Sequence, residues 1–410
     1  AYRTPAARSA YTIKAIPQLI QFHHASAGYP VKATWMKAIT QGFFVGWPGL
    51  TAPRVSKYLL PSIHTSHGHL TLIKQNVRST TKQTYQTKQH TMSIQVLTDL
   101  QDPSLTMASD LTGRYPITSR RGHKYLFVLY NHDANYINAA PIKSRSAEDL
   151  IQGFQTCYEP FLAQNFTAKE LRCDNEISKK FIQHLQDSNM TYQRVPPKNH
   201  RSNPAERAIQ SYKSHFISIL SGADPDFPPD CWDLLVPQAN LTLNLLRASH
   251  LQPALSAYAH IHGQFDYNRY PLGPAGCKVM AFNHKETRPS WAPRSTLCFY
   301  LGPSIPHYRC HRCYDPTTKH TRVTDTIEYH TTFPIPRVTA TEHLVTLLSD
   351  LNQHLKKPQP DLPITAPIHS ALQEMQTLLY QPDIGPRVNP ATKNPETKIR
   401  PTSTTTAAPP

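Results

Sequence analysis

The chain has 410 residues, with 43 Lys and Arg against 27 Asp and Glu, a formal charge of +16 and an isoelectric point near 9.5; a polyanion is the natural partner. No apolar run approaches the roughly 20 residues of a membrane-spanning helix, and seven cysteines without framework spacing exclude a disulfide-stapled module and suit a reducing compartment. The length allows two or three domains, 38 prolines imply much irregular chain, and a start at Ala1 without a signal peptide reads as a piece of a longer polyprotein.

Positive charge is concentrated early: residues 1–98 hold eleven Lys or Arg and no Asp or Glu, which marks 1–74 as a basic N-terminal region. Within it, Ala33–Ile39 carries apolar side chains at helical spacing, Trp47–Thr51 reads as a turn and Ala52–Leu59 as a second helix. His64, His67 and His69 fall in what reads as a polar loop. Residues 75–97, rich in Thr, Gln and Lys, read as a linker.

A core is expected over 98–222. Leu105–Tyr115 reads as a strand containing Asp110, Lys124–Tyr130 as a central buried strand and Tyr136–Ile142 as a third. Ser146, three residues before Asp149, opens a helix through capping-box spacing, with Ile151, Phe154, Tyr158 and Phe161 or Leu162 as its buried stripe. A short strand then breaks at Asp174, followed by a helix over Ile177–Gln186 and a strand over Thr191–Val195. Asn203 and Pro204 signal the start of the next helix. Its buried face is Ile209, Tyr212, Phe216, Ile219 and Leu220, and Glu206, Gln210 and Lys213 line one stripe beside that face. The order β-β-β-α-β-α-β-α is that of an α/β, ribonuclease-H-like core: a mixed five-stranded sheet with helices.

Beyond it, residues 223–262 read as a helical connector, with Trp232, Leu235, Ala239, Leu243 and Leu246 on one helix. Residues 263–336 change to strands at Cys277–Phe282, Leu297–Leu301, Tyr308–Tyr314 and Thr321–Tyr329, with a hairpin turn at Asp315–Lys319, a pattern like a small SH3-like β-barrel. Cys310 and Cys313 read as packing residues on one strand face rather than metal ligands. Short helices are expected within 337–380, and the Pro- and Thr-rich stretch 381–410 reads as a disordered tail.

Asp110, Asp174 and Glu206 carry the chemistry, two aspartates at strand positions followed, with 31 residues between, by a helix-borne glutamate. Three crowded carboxylates repel one another, and two divalent ions roughly 3.5–4 Å apart relieve the repulsion. Oxygen-only ligation suits Mg²⁺, or Mn²⁺ in its place. Asp110 would bridge both ions, with Asp174 on one and Glu206 on the other.

Together, Asp-Leu-Thr-Gly-Arg-Tyr-Pro at 110–116, Cys-Asp-Asn-Glu-Ile-Ser at 173–178, Val-Pro-Pro-Lys-Asn-His-Arg-Ser-Asn-Pro-Ala-Glu-Arg-Ala-Ile at 195–209 and Leu-Thr-Leu-Asn-Leu-Leu-Arg at 241–247 resemble the integrase of a copia-type LTR retrotransposon, of the algal and protist kind. The likeness covers roughly residues 18–335, and its spacing between second and third acids is a few residues shorter than usual. The resemblance implies Asp110, Asp174 and Glu206 as the catalytic triad, 3′-end processing and strand transfer as the reaction, and double-stranded DNA, both element ends and target, as the partner. It further implies a homo-oligomer, action in the nucleus after a stage in cytoplasmic particles, and sequence-independent DNA binding by the β domain. Lys198, Arg201, Arg207, Gln210 and Lys213 are the expected DNA contacts, with Asp110, Asp174 and Glu206 as metal ligands.

In the wider family His23 and His24 would begin a zinc-binding HHCC module. Tyr29 stands where its second His belongs, and no Cys precedes Cys157, so a zinc site is not expected. Two other readings compete: a decayed or domesticated relic that keeps DNA binding alone, and another ribonuclease-H-like nuclease, which the Asn-Pro-Ala-Glu-Arg helix and β-rich tail argue against.

Overall fold

The computed structural model describes residues 9–72, 106–164, 166–173, 178–194 and 204–330. Four helices come first: α1 (Ile16–Ser26), α2 (Lys32–Thr40), α3 (Ala52–Tyr58) and α4 (Ile63–His69). The expected linker, the short helices of 337–380 and the tail fall outside the described residues.

The central sheet grows from β2 (Tyr125–Asn131), nearly every residue of which is buried. It pairs antiparallel with β1 (Thr106–Leu111) and β3 (Tyr136–Ile142). β4 (Glu170–Cys173) lies parallel to β1, and β5 (Thr191–Arg194) parallel to β4, giving the order β3-β2-β1-β4-β5. That order and polarity make the ribonuclease-H-like core the sequence led us to expect.

Pleating sends alternate side chains of β2 to opposite faces. Phe127 and Leu129 pack with Phe154, Cys157 and Phe161 of α5 (Ala147–Leu162) and with Phe181 and Leu185 of α6 (Lys179–Asp187). Leu126, Val128 and Tyr130 pack with Ile209, Tyr212 and Phe216 of α7 (Pro204–Gly222) and with Ala239 and Leu243 of α8 (Val236–Leu246). At the start of α5, Ser146 Oγ accepts the Asp149 N–H at 3.2 Å, while the Asp149 carboxylate takes the Ser144 hydroxyl. Half of the expected capping box forms. Of the alternatives for its stripe, Phe161 is the buried one and Leu162 is exposed.

The outer edge of β3 would leave backbone groups without partners. Two asparagines of α8, four residues apart and so on one helix face, take the place of a neighbouring strand. Asn244 accepts the Ile137 N–H at 2.9 Å and donates to the Ile137 carbonyl at 2.7 Å. Asn240 accepts the Ala139 N–H at 3.2 Å and donates to its carbonyl at 2.9 Å. The connector itself is not one helix: Pro229–Leu235 forms a 3₁₀ turn and α8 starts at Val236. Pro237 falls in the first turn of α8, where no N–H is required.

A second, wholly antiparallel sheet follows α9 (Ala257–His262). It comprises β6 (Lys278–Phe282), β7 (Ser295–Pro303), β8 (His311–Asp315), β9 (His320–Thr324) and β10 (Ile327–Tyr329), in the order β10-β6-β7-β8-β9. Asp315 Oδ1 accepts the N–H groups of Thr317 and Thr318, and Lys319 takes a φ of +60°, which closes the expected hairpin. The single strand expected over Thr321–Tyr329 is two strands. The chain leaves its pairing with β8 after Thr324, the Phe282 N–H bonds the Thr326 carbonyl, and β10 pairs with β6. The Arg322 guanidinium bonds Phe282 O and Asn283 Oδ1, both at 2.9 Å, and curls β9 back toward β6 in the SH3-like manner. Cys310 precedes β8, whereas Cys313 is buried within it. Residues three apart on a strand cannot share a face, which corrects the one-face reading.

The helices of the N-terminal region do not fold around a core of their own. Phe22, Trp35 and Trp47 belong to one buried cluster with Leu245 of α8, Tyr267, and Val279, Tyr300 and Tyr329 of the second sheet.

Substituting Asn244→Ala leaves the buried Ile137 amide and carbonyl without partners. An unfolding loss of about 2–4 kcal/mol follows from two unsatisfied groups; a urea midpoint equal to the parent's would contradict the edge-capping role.

Candidate active site

Asp110 is the fifth residue of β1 and pairs with Val128. Alternation puts it on the same face as Ala108, which packs into the cluster formed with Ala205, Ala208 and Ile209 of α7, whereas Met107 belongs to the α5 side. Its Oδ1 accepts the Leu111 N–H at 2.7 Å, which orients the carboxylate. On the other flank of β1, Ala108 is in register with Arg172 of β4, and β4 ends one residue later at Cys173. Asp174 is the next residue in sequence and lies outside the described residues.

Glu206 is the third residue of α7, half-buried, beside Ala205, which is fully buried, and Ile209. The first turn of a helix favours a carboxylate there, because unpaired N–H groups point toward it. The strand-borne acid and the helix-borne acid therefore occupy the same face of the sheet. Both donors are carboxylate oxygens that retain partial contact with solvent, a set suited to a hard divalent cation. Among the described residues, which do not include Asp174, no three His, Cys, Asp or Glu side chains form a group able to hold a metal.

Of the expected DNA contacts, Lys198 and Arg201 lie outside the described residues. Arg207, Gln210 and Lys213 are exposed on α7. Gln210 and Lys213 do not open onto one space, as their stripe suggested. Gln210 lines a cleft of about 340 Å³ with Val31, Thr34, His69 and Arg247, whereas Lys213 lines one of about 650 Å³ with His67, Thr112, Arg114, Tyr115, Phe216 and Ile217.

What divides them is α4, the segment read from sequence as a polar loop. Ser62 Oγ caps it by accepting the Thr65 N–H, and the helix lies along α7. Ser221 Oγ is within 3.0 Å of His64 Nδ1 and 2.7 Å of His67 Nδ1. At Gly68 the helices approach so closely that a Cβ would stand 2.0 Å from Ser218 Oγ and 2.2 Å from the Ser214 carbonyl. The turn between α1 and α2 adds a second clamp: Gly28 (φ +84°) lies against His215, and the Tyr29 ring against Gly222. Ser214, Ser218 and Gly222 recur every four residues along α7, and such a stripe of small residues is the signal that could have announced a closely packed partner helix.

The histidines at the start of the N-terminal region are structural. His23 and His24 are buried in α1, a helix not read from the sequence, and each Nε2–H donates at 2.8 Å to a backbone carbonyl, of Pro48 and Pro30 respectively. Burial lowers both from the ordinary histidine range to about 4. His215 of α7 donates to Thr242 Oγ1 at 2.8 Å, and burial lowers it to about 3.

No protein-family model matches the chain, and no curated protein matches it. Among solved structures it is similar to the catalytic core domain of BIV integrase, with 17% identity, 38% of this chain and 93% of that chain covered, and a TM-score of 0.30. It is similar to the HTLV-2 integrase catalytic core domain in complex with magnesium, at 17% identity, 39% and 97% coverage and a TM-score of 0.31. A chain of the simian T-cell lymphotropic virus intasome in complex with the PP2A regulatory subunit B56 gamma matches at 13% identity, over 56% of this chain and 80% of that one, with a TM-score of 0.32.

The buried histidines set a pH dependence. Their folded pKa values lie below the unfolded value of about 6.5, so the unfolded chain binds more protons as pH falls, and stability present above about pH 6.5 is lost on acidification. Between pH 7 and 5 the loss is about 2 kcal/mol for each of His23, His24 and His215. Urea denaturation across that range checks it, and a midpoint that does not fall refutes the neutral, buried assignment.

Proposed function

We propose that the chain is a polynucleotidyl transferase of the integrase type, from a copia-like LTR retrotransposon, which trims the 3′ ends of element DNA and joins them to a target. The reading rests above all on Asp110 and Glu206 sharing one face of the sheet where β1 meets α7, with β4 ending beside β1 one residue before Asp174 in sequence. The order of these acids along the chain and the net charge of +16 support it.

Asp110, Asp174 and Glu206 would hold the metal, Mg²⁺ or Mn²⁺. When bound, a pair of such ions activates the attacking oxygen and stabilises the leaving one. The chain's own part is positional. The Leu111 N–H fixes the Asp110 carboxylate, and α7 is clamped between the sheet and the N-terminal helices. Arg114 and Lys213, at the larger cleft, present charge to a DNA phosphate, where a Lys acts as a point charge. Lys198, Arg201 and Arg207 would extend that contact and Gln210 would add one from the separate cleft beyond α4, a homo-oligomer would present two element ends together, and a nuclear target would place the activity in the nucleus.

An assay of metal-dependent joining of an LTR-end oligonucleotide tests the assignment. Asp110→Asn, Asp174→Asn and Glu206→Gln should each lower joining by at least about a hundredfold, about 3 kcal/mol of transition-state stabilisation, while DNA binding persists. Parental activity in Glu206→Gln would remove the triad from the mechanism. Affinity for duplex DNA should fall by about a thousandfold between about 50 and 200 mM salt for about six phosphate contacts; a flat salt response would contradict binding through Lys and Arg.

A further inference from the structure

The chain has four tryptophans. Trp35, Trp47 and Trp232 are buried, whereas Trp291, between β6 and β7, is 99% exposed. A lone exposed aromatic is unremarkable; the loop that holds this one is not. Arg288 Nε donates to the Asn283 carbonyl at 3.3 Å, and its Nη1 donates to the carbonyls of Pro289, Ser290 and Ala292 at 3.4, 3.3 and 3.3 Å. One guanidinium thus gathers the backbone on both sides of Trp291. At the root of the loop, Asn283 Nδ2 donates to Thr296 Oγ1 at 2.9 Å, and Asn283 Oδ1 accepts from Arg322. Pro289 and Pro293 restrict the backbone further. The indole is presented on a tip whose backbone is braced, so little backbone entropy remains to be lost when it meets a partner.

The charge around it selects the partner. Lys285 and Arg294 are exposed on the same loop, with Glu286 as its one carboxylate, and His284 lies 3.6 Å from Asp325. A flat aromatic between cations matches a nucleic-acid strand, in which every base offers a π-face and every linkage a negative charge. We propose that Trp291 stacks on an unpaired or locally unstacked base of bound DNA while Lys285 and Arg294 meet the adjoining phosphates. The proposal rests on the DNA-joining reading for its ligand, and on the exposed, braced indole for its site.

The full chain is titrated with a dye-labelled duplex carrying a single-stranded end. Binding is followed by anisotropy, and tryptophan emission is followed with the same DNA lacking the dye. Expected are a loss of exposed-indole emission in step with binding, its disappearance in Trp291→Phe, and protection of Trp291 from acrylamide. Trp291→Ala should weaken binding about tenfold and leave the salt slope unchanged, whereas Lys285→Ala or Arg294→Ala should each reduce that slope by about 1. DNA that saturates the chain while Trp291 stays fully quenchable, or Trp291→Ala binding as tightly as the parent, overturns this proposal and leaves the DNA-joining reading standing. Failure to bind any DNA overturns both. A blunt duplex run in parallel separates stacking on a free base from insertion into a helix.

Discussion

The burial of α7 from two sides is the constraint on which the rest of this structure depends. Ala205, Ala208, Ile209, Tyr212 and Phe216 press it onto the central sheet, while Ser214, Ser218 and Gly222 receive α4 and Tyr29 from the N-terminal region. A helix resting on a sheet by one face can roll or slide along its contact. A helix held by small residues on a second face has far less freedom, because close-packed interfaces tolerate few alternative arrangements. Glu206 rides on this helix and Asp110 on the strand beneath, so the double contact restrains the helix that carries Glu206 on the sheet face that carries Asp110.

The sheet and its flanking helices were legible because their signals are local and strong. The run of β2 is too apolar to be anything but buried, and the stripe of α7 repeats at helical spacing for about three turns. What could not be read was set by partners remote in sequence. α4 has few apolar side chains; its place comes from Gly68 fitting against Ser214 and Ser218, and the hydrophobic pattern of α4 itself does not announce that. The break between β9 and β10 follows from β10 having β6 as its neighbour, a fact of sheet closure. The even stripe of Glu206, Gln210 and Lys213 was right as helix geometry, yet it missed that another helix would lie along α7. Of the three expected acids, the positions of Asp110 in a strand and Glu206 in a helix were read from sequence, as was the short strand that ends just before Asp174; Asp174 itself lies outside the described residues.

The N-terminal histidines show how one residue type serves opposite ends. A His-His pair near a chain start invites a metal reading, but a ligand nitrogen must be free to coordinate. Here each Nε2 is occupied by a proline carbonyl, and the rings pack edge-on against aromatic neighbours, His23 against Trp47 and Tyr267, and His24 against Tyr29. The interior of this region is organised by aromatic packing and hydrogen bonds to carbonyls.

The cluster that joins Phe22, Trp35 and Trp47 to Leu245, Tyr267, Tyr300 and Tyr329 has a bearing on how this protein can be divided. A version beginning at β1 would strip the cover from aromatic side chains of the second sheet and from the flank of α8, and would lay open the small-residue groove of α7. The central sheet is thus no detachable unit: its surroundings are covered by sequence that precedes it, and trimming from the front would trade a smaller protein for a stickier one.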